Sequence, residues 1–156
     1  MSLGSLTRPE LILSDLTATD PAPATPADIL RVFADRLAKL GVVRDADELF
    51  RRLREREQLS STGISSGIAI PHCKMPGLRQ AVVAVGLAPQ GVDFGTADGQ
   101  QVRLFFVVVS PEEDPAEHLR VLASISRWVK TGRHAERVLE IREPQAVYQF
   151  LQEEGA

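Results

Sequence analysis

At 156 residues, 44% apolar and 25% charged, the chain has the size and balance of one ordinary globular domain with a substantial core. Its formal net charge of −3 gives no electrostatic basis for nucleic acid or an anionic membrane as partner. The single cysteine, Cys73, excludes an internal disulfide and a four-cysteine zinc site, and no apolar run approaches the roughly 20 residues that span a bilayer. The opening Met1-Ser2-Leu3-Gly4-Ser5-Leu6 lacks a charged region followed by an apolar one, so it does not read as a signal peptide. A reducing cytoplasm is the expected compartment. Residues 1–8 are expected to be a disordered N-terminus or a cloning remnant, with residues 9–153 forming one domain.

Residues 11–16 are short and apolar and predict an early strand, followed by a proline- and alanine-rich loop. Thr25-Pro26-Ala27-Asp28 then supplies an N-cap, a proline at the first helical position and an acid in the first turn. Ile29, Leu30, Phe33, Leu37 and Leu40 follow at helical spacing, and Gly41 is a natural stop. Asp45 opens a second helix that runs through about Glu57, with Leu49, Phe50 and Leu53 on its apolar face. Residues 81–87 predict a strand, 91–99 a turn-rich connection, and 102–109 a central strand covered on both faces. Ser110-Pro111 ends it. Asp114 and Glu117 mark another helix start in capping-box spacing, continued by Leu119, Leu122, Ile125 and Val129. Helices over 133–140 and 144–153 close the chain. Strands and helices in this order predict an α/β sandwich.

The chemistry concentrates in residues 61–74. A run of glycines and small polar residues gives way to Ile68-Ala69-Ile70, a short buried strand that Pro71 is expected to end. Gly63 and Gly67 admit backbone conformations closed to other residues. His72 follows at once, beside a loop rich in NH and OH donors. Imidazole is neutral and nucleophilic near pH 7, which suits it to receive an anionic group. These residues alone leave a surface or structural histidine as an equal reading.

The stretch from Arg56-Glu57 through Thr62-Gly63-Ile64 to Gly67-Ile68-Ala69-Ile70-Pro71-His72 resembles the active-site signature of the IIA component of the bacterial phosphotransferase system. The likeness is to the fructose/mannitol class, which includes the nitrogen-regulatory IIA proteins, and extends over residues 11–151. Ser65 and Cys73 depart from it, each standing where a glycine is usual. The resemblance implies a single-domain sandwich with a mixed, mostly antiparallel sheet flanked by helices. It implies a phosphocarrier that takes phosphoryl onto His72 from HPr or a nitrogen-branch relative. Onward, it implies control of regulatory target proteins, or alternatively transfer to a IIB cysteine for sugar uptake. No cofactor and no metal are expected.

The same resemblance makes His118, in Glu117-His118-Leu119, an active-site partner that acts as a neutral hydrogen-bond donor near a helix N-terminus. On its own, His118 reads as a half-buried core histidine. Arg56 aligns with the family's arginine and can clamp phosphate with its planar fork of donors, Arg54 being the competing candidate. Thr62 either donates its hydroxyl to a phosphoryl oxygen or shapes the loop. Alternation along an extended segment points Cys73 away from the face that His72 presents, so a packed thiol is expected. His134 reads as a surface residue. Zinc on His72, Cys73 and His118 finds no ligand pair at a known spacing, and no serine sits in a nucleophile-elbow context.

Overall fold

The structure is a computed structural model that describes residues 2–64 and 66–154. Ser65, one of the two departures from the family pattern, lies outside the described residues. The helix signals are realised locally. Thr25 and Asp28 complete a reciprocal capping box at the start of α1 (Pro26–Lys39). Asp45 accepts from the backbone N–H groups of Asp47 and Glu48 to open α2 (Ala46–Leu59).

The strands are β1 (Ile12–Leu13), β2 (Gly63–Ile64), β3 (Ile68–Ala69), β4 (His72–Met75), β5 (Val82–Val92) and β6 (Val102–Pro111). They form one mixed sheet in the order β1-β5-β6-β3-β2, with β4 also paired to β6. The antiparallel β5–β6 hairpin is its most extensive pairing. The short strands β1, β3 and β4 pair in parallel with the hairpin and β2 pairs antiparallel with β3, so the sheet is mixed, as expected. β5 also runs beyond its predicted end: its register slips between Leu87 and Val92, and Val92 then rejoins the ladder opposite Val102.

Three further helices, α3 (Pro115–Lys130), α4 (His134–Ile141) and α5 (Pro144–Glu154), complete the chain. Alternation along β6 divides the core. Phe105, Val107 and Val109 pack toward α1 and α2, with Phe33, Leu37, Leu49 and Leu53. Leu104, Phe106 and Val108 pack on the other face with Ile125, Trp128, Val147 and Leu151. This is the strand covered on both faces that its unbroken apolar run predicts. Gly86 lets α1 approach closely, because a Cβ there would run into Phe33 and Leu16.

The N-terminal residues join this core. Leu3–Leu6 forms a 3-10 turn whose two leucines are buried in the α3–α5 layer. Gln152 of α5 donates to the carbonyl of Gly4 at 3.1 Å. Where disorder was expected, residues 3–6 are ordered because the two leucines complete an apolar layer.

Candidate active site

β3 and β4 are one ribbon interrupted by Pro71. Ile68 pairs with Leu104 and His72 with Val108, which keeps a single parallel register against β6. Pro71 removes a donor, yet its carbonyl accepts from Val108 N–H at 2.9 Å and holds the ladder together. β3 thus ends just before Pro71, as the sequence suggests, and pairing with β6 resumes in the same register in β4. Gly67 is needed before β3: its φ is +76°, and a Cβ there would stand 3.1 Å from the carbonyl oxygen of Gln101.

The half-buried ring of His72 is held from both ends. Nδ1 lies 2.7 Å from the carbonyl oxygen of Ile70. A carbonyl can only accept, so Nδ1 carries the proton and Nε2 bears a free lone pair. Into that lone pair Arg56 donates its Nε–H at 3.1 Å. Burial holds the pKa below the ordinary 6.5, and the positive charge of Arg56 adds to this, while the Ile70 carbonyl works the other way. The ring is thus a neutral imidazole of fixed tautomer.

α2 supplies the cationic wall. Arg56 also donates to the carbonyl of Ser60 at 3.1 Å, which steadies its reach over His72. Arg54 lies on another face, lining a separate hollow beside Thr25 and Phe94. Arg56 is therefore the arginine at the imidazole. Glu57 accepts from both the backbone N–H and the hydroxyl of Thr62 at 2.7 Å. Thr62 is buried and shapes the loop; its hydroxyl is committed to Glu57.

α3 supplies the opposite wall. Asp114 caps it by accepting from Glu117 N–H at 3.1 Å. The Glu117 carboxylate does not complete the expected capping box and instead accepts from Ala81 N–H at 3.2 Å, tying the helix start to the sheet. His118 is buried, with its ring centroid 5.3 Å from that of His72. Its Nδ1 lies 2.7 Å from Oγ of Ser110, a side chain fully enclosed at the end of β6. Burial first, and then the charges of His72, Lys74 and Arg56, push its pKa down to about 4.

Between these walls lies an open cleft of about 740 Å³, bordered by Arg52, Arg56, Leu59, His72, Lys74 and His118 among others. The described part of loop 61–67 does not border it. The cations come from α2 and β4, and the polar tip from α3. Cys73 reaches the cleft wall but belongs to the α1–α2 core, and burial pushes its thiol up to about 12. It is the packed thiol that alternation predicts, and no thiolate nucleophile.

Among the sequence-derived candidates, His72, His118 and Arg56 come together and Thr62 stands apart. Ser110, Arg52 and Lys74 were not foreseen. Ser110 did leave a signal: it is the lone hydroxyl of β6, directly after the apolar run Leu104–Val109. Among the described residues, no group of three or more His, Cys, Asp or Glu is arranged to hold a metal.

Residues 10–154 match the family described as the phosphoenolpyruvate-dependent sugar phosphotransferase system, EIIA 2. A fructose-specific EIIA component from Haloferax volcanii is 30% identical over 139 residues, covering 89% of this chain and 90% of that protein. A nitrogen regulatory protein from Bradyrhizobium diazoefficiens is 32% identical over 151 residues, covering 97% of this chain and 95% of that protein. Among solved structures, the nitrogen regulatory protein IIA-Ntr of Neisseria meningitidis superposes with a TM-score of 0.83 at 26% identity, over 96% of this chain and 98% of that one. The mannitol enzyme IIA of Escherichia coli, solved with phosphorylated enzyme IIB, shares the fold with a TM-score of 0.72 at 23% identity, over 92% of this chain and 94% of that one. With a family match over nearly the whole chain and a cleft built around a neutral histidine, this protein belongs to the IIA family of the phosphoenolpyruvate-dependent sugar phosphotransferase system.

Proposed function

We propose that Nε2 of His72 is the phosphoryl acceptor, and that Arg56 and His118 stabilise the transferred group. The observation that carries this is the pairing of Nδ1–H with the Ile70 carbonyl, which leaves the Nε2 lone pair facing Arg56. In the transfer, that lone pair forms the new nitrogen–phosphorus bond as the bond to the donor's leaving nitrogen breaks. Arg56 gives up its bond to Nε2 and turns its donors to the phosphoryl oxygens. Such transfers depend on positioning and charge stabilisation more than on covalent help. The Ile70 carbonyl keeps the Nδ1 proton in place, favouring the cationic phosphoimidazole that passes phosphoryl onward.

The donor in this reading is HPr or its nitrogen-branch relative, working in the cytoplasm. The output is regulatory: phosphorylation state governs binding to target proteins. The likeness to nitrogen regulatory proteins over nearly the full chain supports this. The likeness to a fructose-specific component supports the second reading, transfer to a IIB cysteine during sugar uptake.

The test labels the protein through a phosphorylated HPr-type donor. Label on wild type and on Cys73→Ser should be acid-labile and alkali-stable, as phosphate on imidazole nitrogen is. Label that disappears in Cys73→Ser would overturn the acceptor. Adding a fructose- or mannitol-type IIB protein then separates the outputs. Retention of label supports regulation, and rapid loss to a IIB cysteine supports transport.

A further inference from the structure

We propose that Ser110 is a positioning residue for phosphoryl transfer: its enclosed hydroxyl donates to Nδ1 of His118, which leaves Nε2–H as the donor on the cleft side. This rests on the reading of His72 as acceptor and His118 as its polar partner, and adds the device that sets the partner's polarity.

The 2.7 Å separation of Ser110 Oγ and His118 Nδ1 fits either direction of donation, and burial decides between them. Ser110 is fully enclosed, and its Oγ has no other side-chain hydrogen bond among the described residues. If Nδ1–H donated to the hydroxyl, the serine proton would be left buried without an acceptor. Stranding a buried donor costs more than an ordinary hydrogen bond contributes. If the serine donates to the Nδ1 lone pair, both groups are satisfied. Neutral imidazole carries one proton, which then sits on Nε2.

The consequence reaches the chemistry. A phosphoryl oxygen beside His72 accepts hydrogen bonds. The Nε2–H form of His118 can donate to it, whereas the opposite tautomer would face it with a lone pair. Position in the fold makes Ser110 suited to this. It closes β6, pairs across the ladder with Lys74, and lies in the layer that α3 covers. The ring is therefore anchored to the most buried strand of the sheet. Ile70 treats His72 the same way through its carbonyl, with opposite polarity: acceptor on the sheet side of one imidazole, donor on the sheet side of the other. One ring presents a lone pair to phosphorus and its neighbour presents a proton to oxygen.

Long-range nitrogen–proton correlation spectra of the histidine side chains near pH 7 test this directly. Wild-type His118 should carry its proton on Nε2, and finding it on Nδ1 overturns the proposal without any substitution. In Ser110→Ala the ring loses its sheet-side partner, so its nitrogen signals should broaden or average. Transfer to His72 should slow roughly tenfold, the scale of one neutral buried hydrogen bond. Ser110→Thr, which keeps the hydroxyl, should restore both the spectrum and the rate. In a His118→Ala background, Ser110→Ala should slow transfer no further, because it acts through that ring. An unchanged spectrum and rate in folded Ser110→Ala overturns the role of the hydroxyl. Failure of the acceptor reading would look different: label would be absent from His72 in every variant, while the tautomer of His118 would still be read.

Discussion

Two imidazole environments flank α3, one against its first turn and one just beyond its end. At the first turn, His72 and His118 face each other with ring centroids 5.3 Å apart. Beyond the other end, His134 lies on Trp128 at 5.1 Å and meets Phe150 edge-on at 5.5 Å. The sequence reads His134 as a surface residue, yet its side chain is only 16% exposed. Burial and ring contact are thus common to both places. What separates them is the treatment of the ring nitrogens. His72 has a carbonyl on one nitrogen and a guanidinium on the other, and His118 has a serine hydroxyl. Nδ1 of His134 is buried with no partner among the described residues, and its Nε2 stands 3.8 Å from Glu154. At the first turn a fixed partner thus decides which nitrogen of each ring carries the proton. His134 serves as an aromatic filler between α3 and α5.

The sharpest way to break this contrast is to remove each ring. His72→Ala should abolish labelling by a phosphorylated HPr-type donor while circular dichroism shows the fold intact. His134→Ala should label at the wild-type rate and instead lose roughly 1–3 kcal/mol of stability from the vacated aromatic contact. Labelling that survives in the first variant, or fails in a folded second one, would invert the assignment. Arg56→Ala comes next. It removes one preorganised donor from a site where charge builds up, so single-turnover transfer should slow roughly a hundredfold. Arg56→Lys should recover only part of that, because an ammonium lacks the planar fork.

Acid sharpens the contrast thermodynamically. His118 titrates at about 4 in the folded chain against an ordinary 6.5, and His72 is shifted in the same direction. A histidine with a depressed folded pKa is protonated first in the unfolded state. Its contribution is complete above pH 6.5 and is lost as pH falls toward 4. Burial drives the shift at His118, with the charges of His72, Lys74 and Arg56 adding to it. The loss should be on the order of 3 kcal/mol. Urea midpoints measured between pH 7 and pH 4 check this. His118→Gln should flatten the curve.

Much of this was legible in the sequence, and the parts that were not share a cause. Capping residues act on their own helix, so Thr25 with Asp28, and Asp45, announce α1 and α2 directly. The unbroken apolar run in β6 announces a strand buried on both faces. The face of α3 was harder. Apolar spacing picks Leu119, Leu122, Ile125 and Val129, but the buried stripe is His118, Val121, Ser124, Ile125 and Trp128, and Leu119 is 67% exposed. Two members of that stripe are polar, which displaces a hydrophobic pattern by a position. The buried His118 is admissible because Ser110 answers it from another element, and such a partnership has no local signal. That pairing resumes beyond Pro71 was not legible for a related reason. It depends on what the proline carbonyl meets across the ladder, here Val108. Arg56 was legible only through the family likeness, since in Arg54-Glu55-Arg56-Glu57 helix phase must choose between two arginines.

The mildest expected effect separates the helix turn that touches the imidazole from its immediate neighbour. Arg56 and Glu57 are adjacent on α2, yet the first bonds to His72 and the second to Thr62. Thr62→Val removes one of the two hydrogen bonds to the Glu57 carboxylate and keeps the side-chain shape. A hydrogen bond to a charged group contributes about 1.5–3 kcal/mol when well buried, and the part-buried carboxylate puts this one near the lower end. Stability should therefore fall by about 1–2 kcal/mol. Transfer to His72 should change by less than about threefold, since the hydroxyl does not border the cleft and the backbone N–H still holds Glu57. A loss comparable to that of Arg56→Ala in a folded Thr62→Val protein would mean that the hydroxyl leaves Glu57 for the phosphoryl group during transfer. Loop 61–67 would then count as part of the site and not as its support.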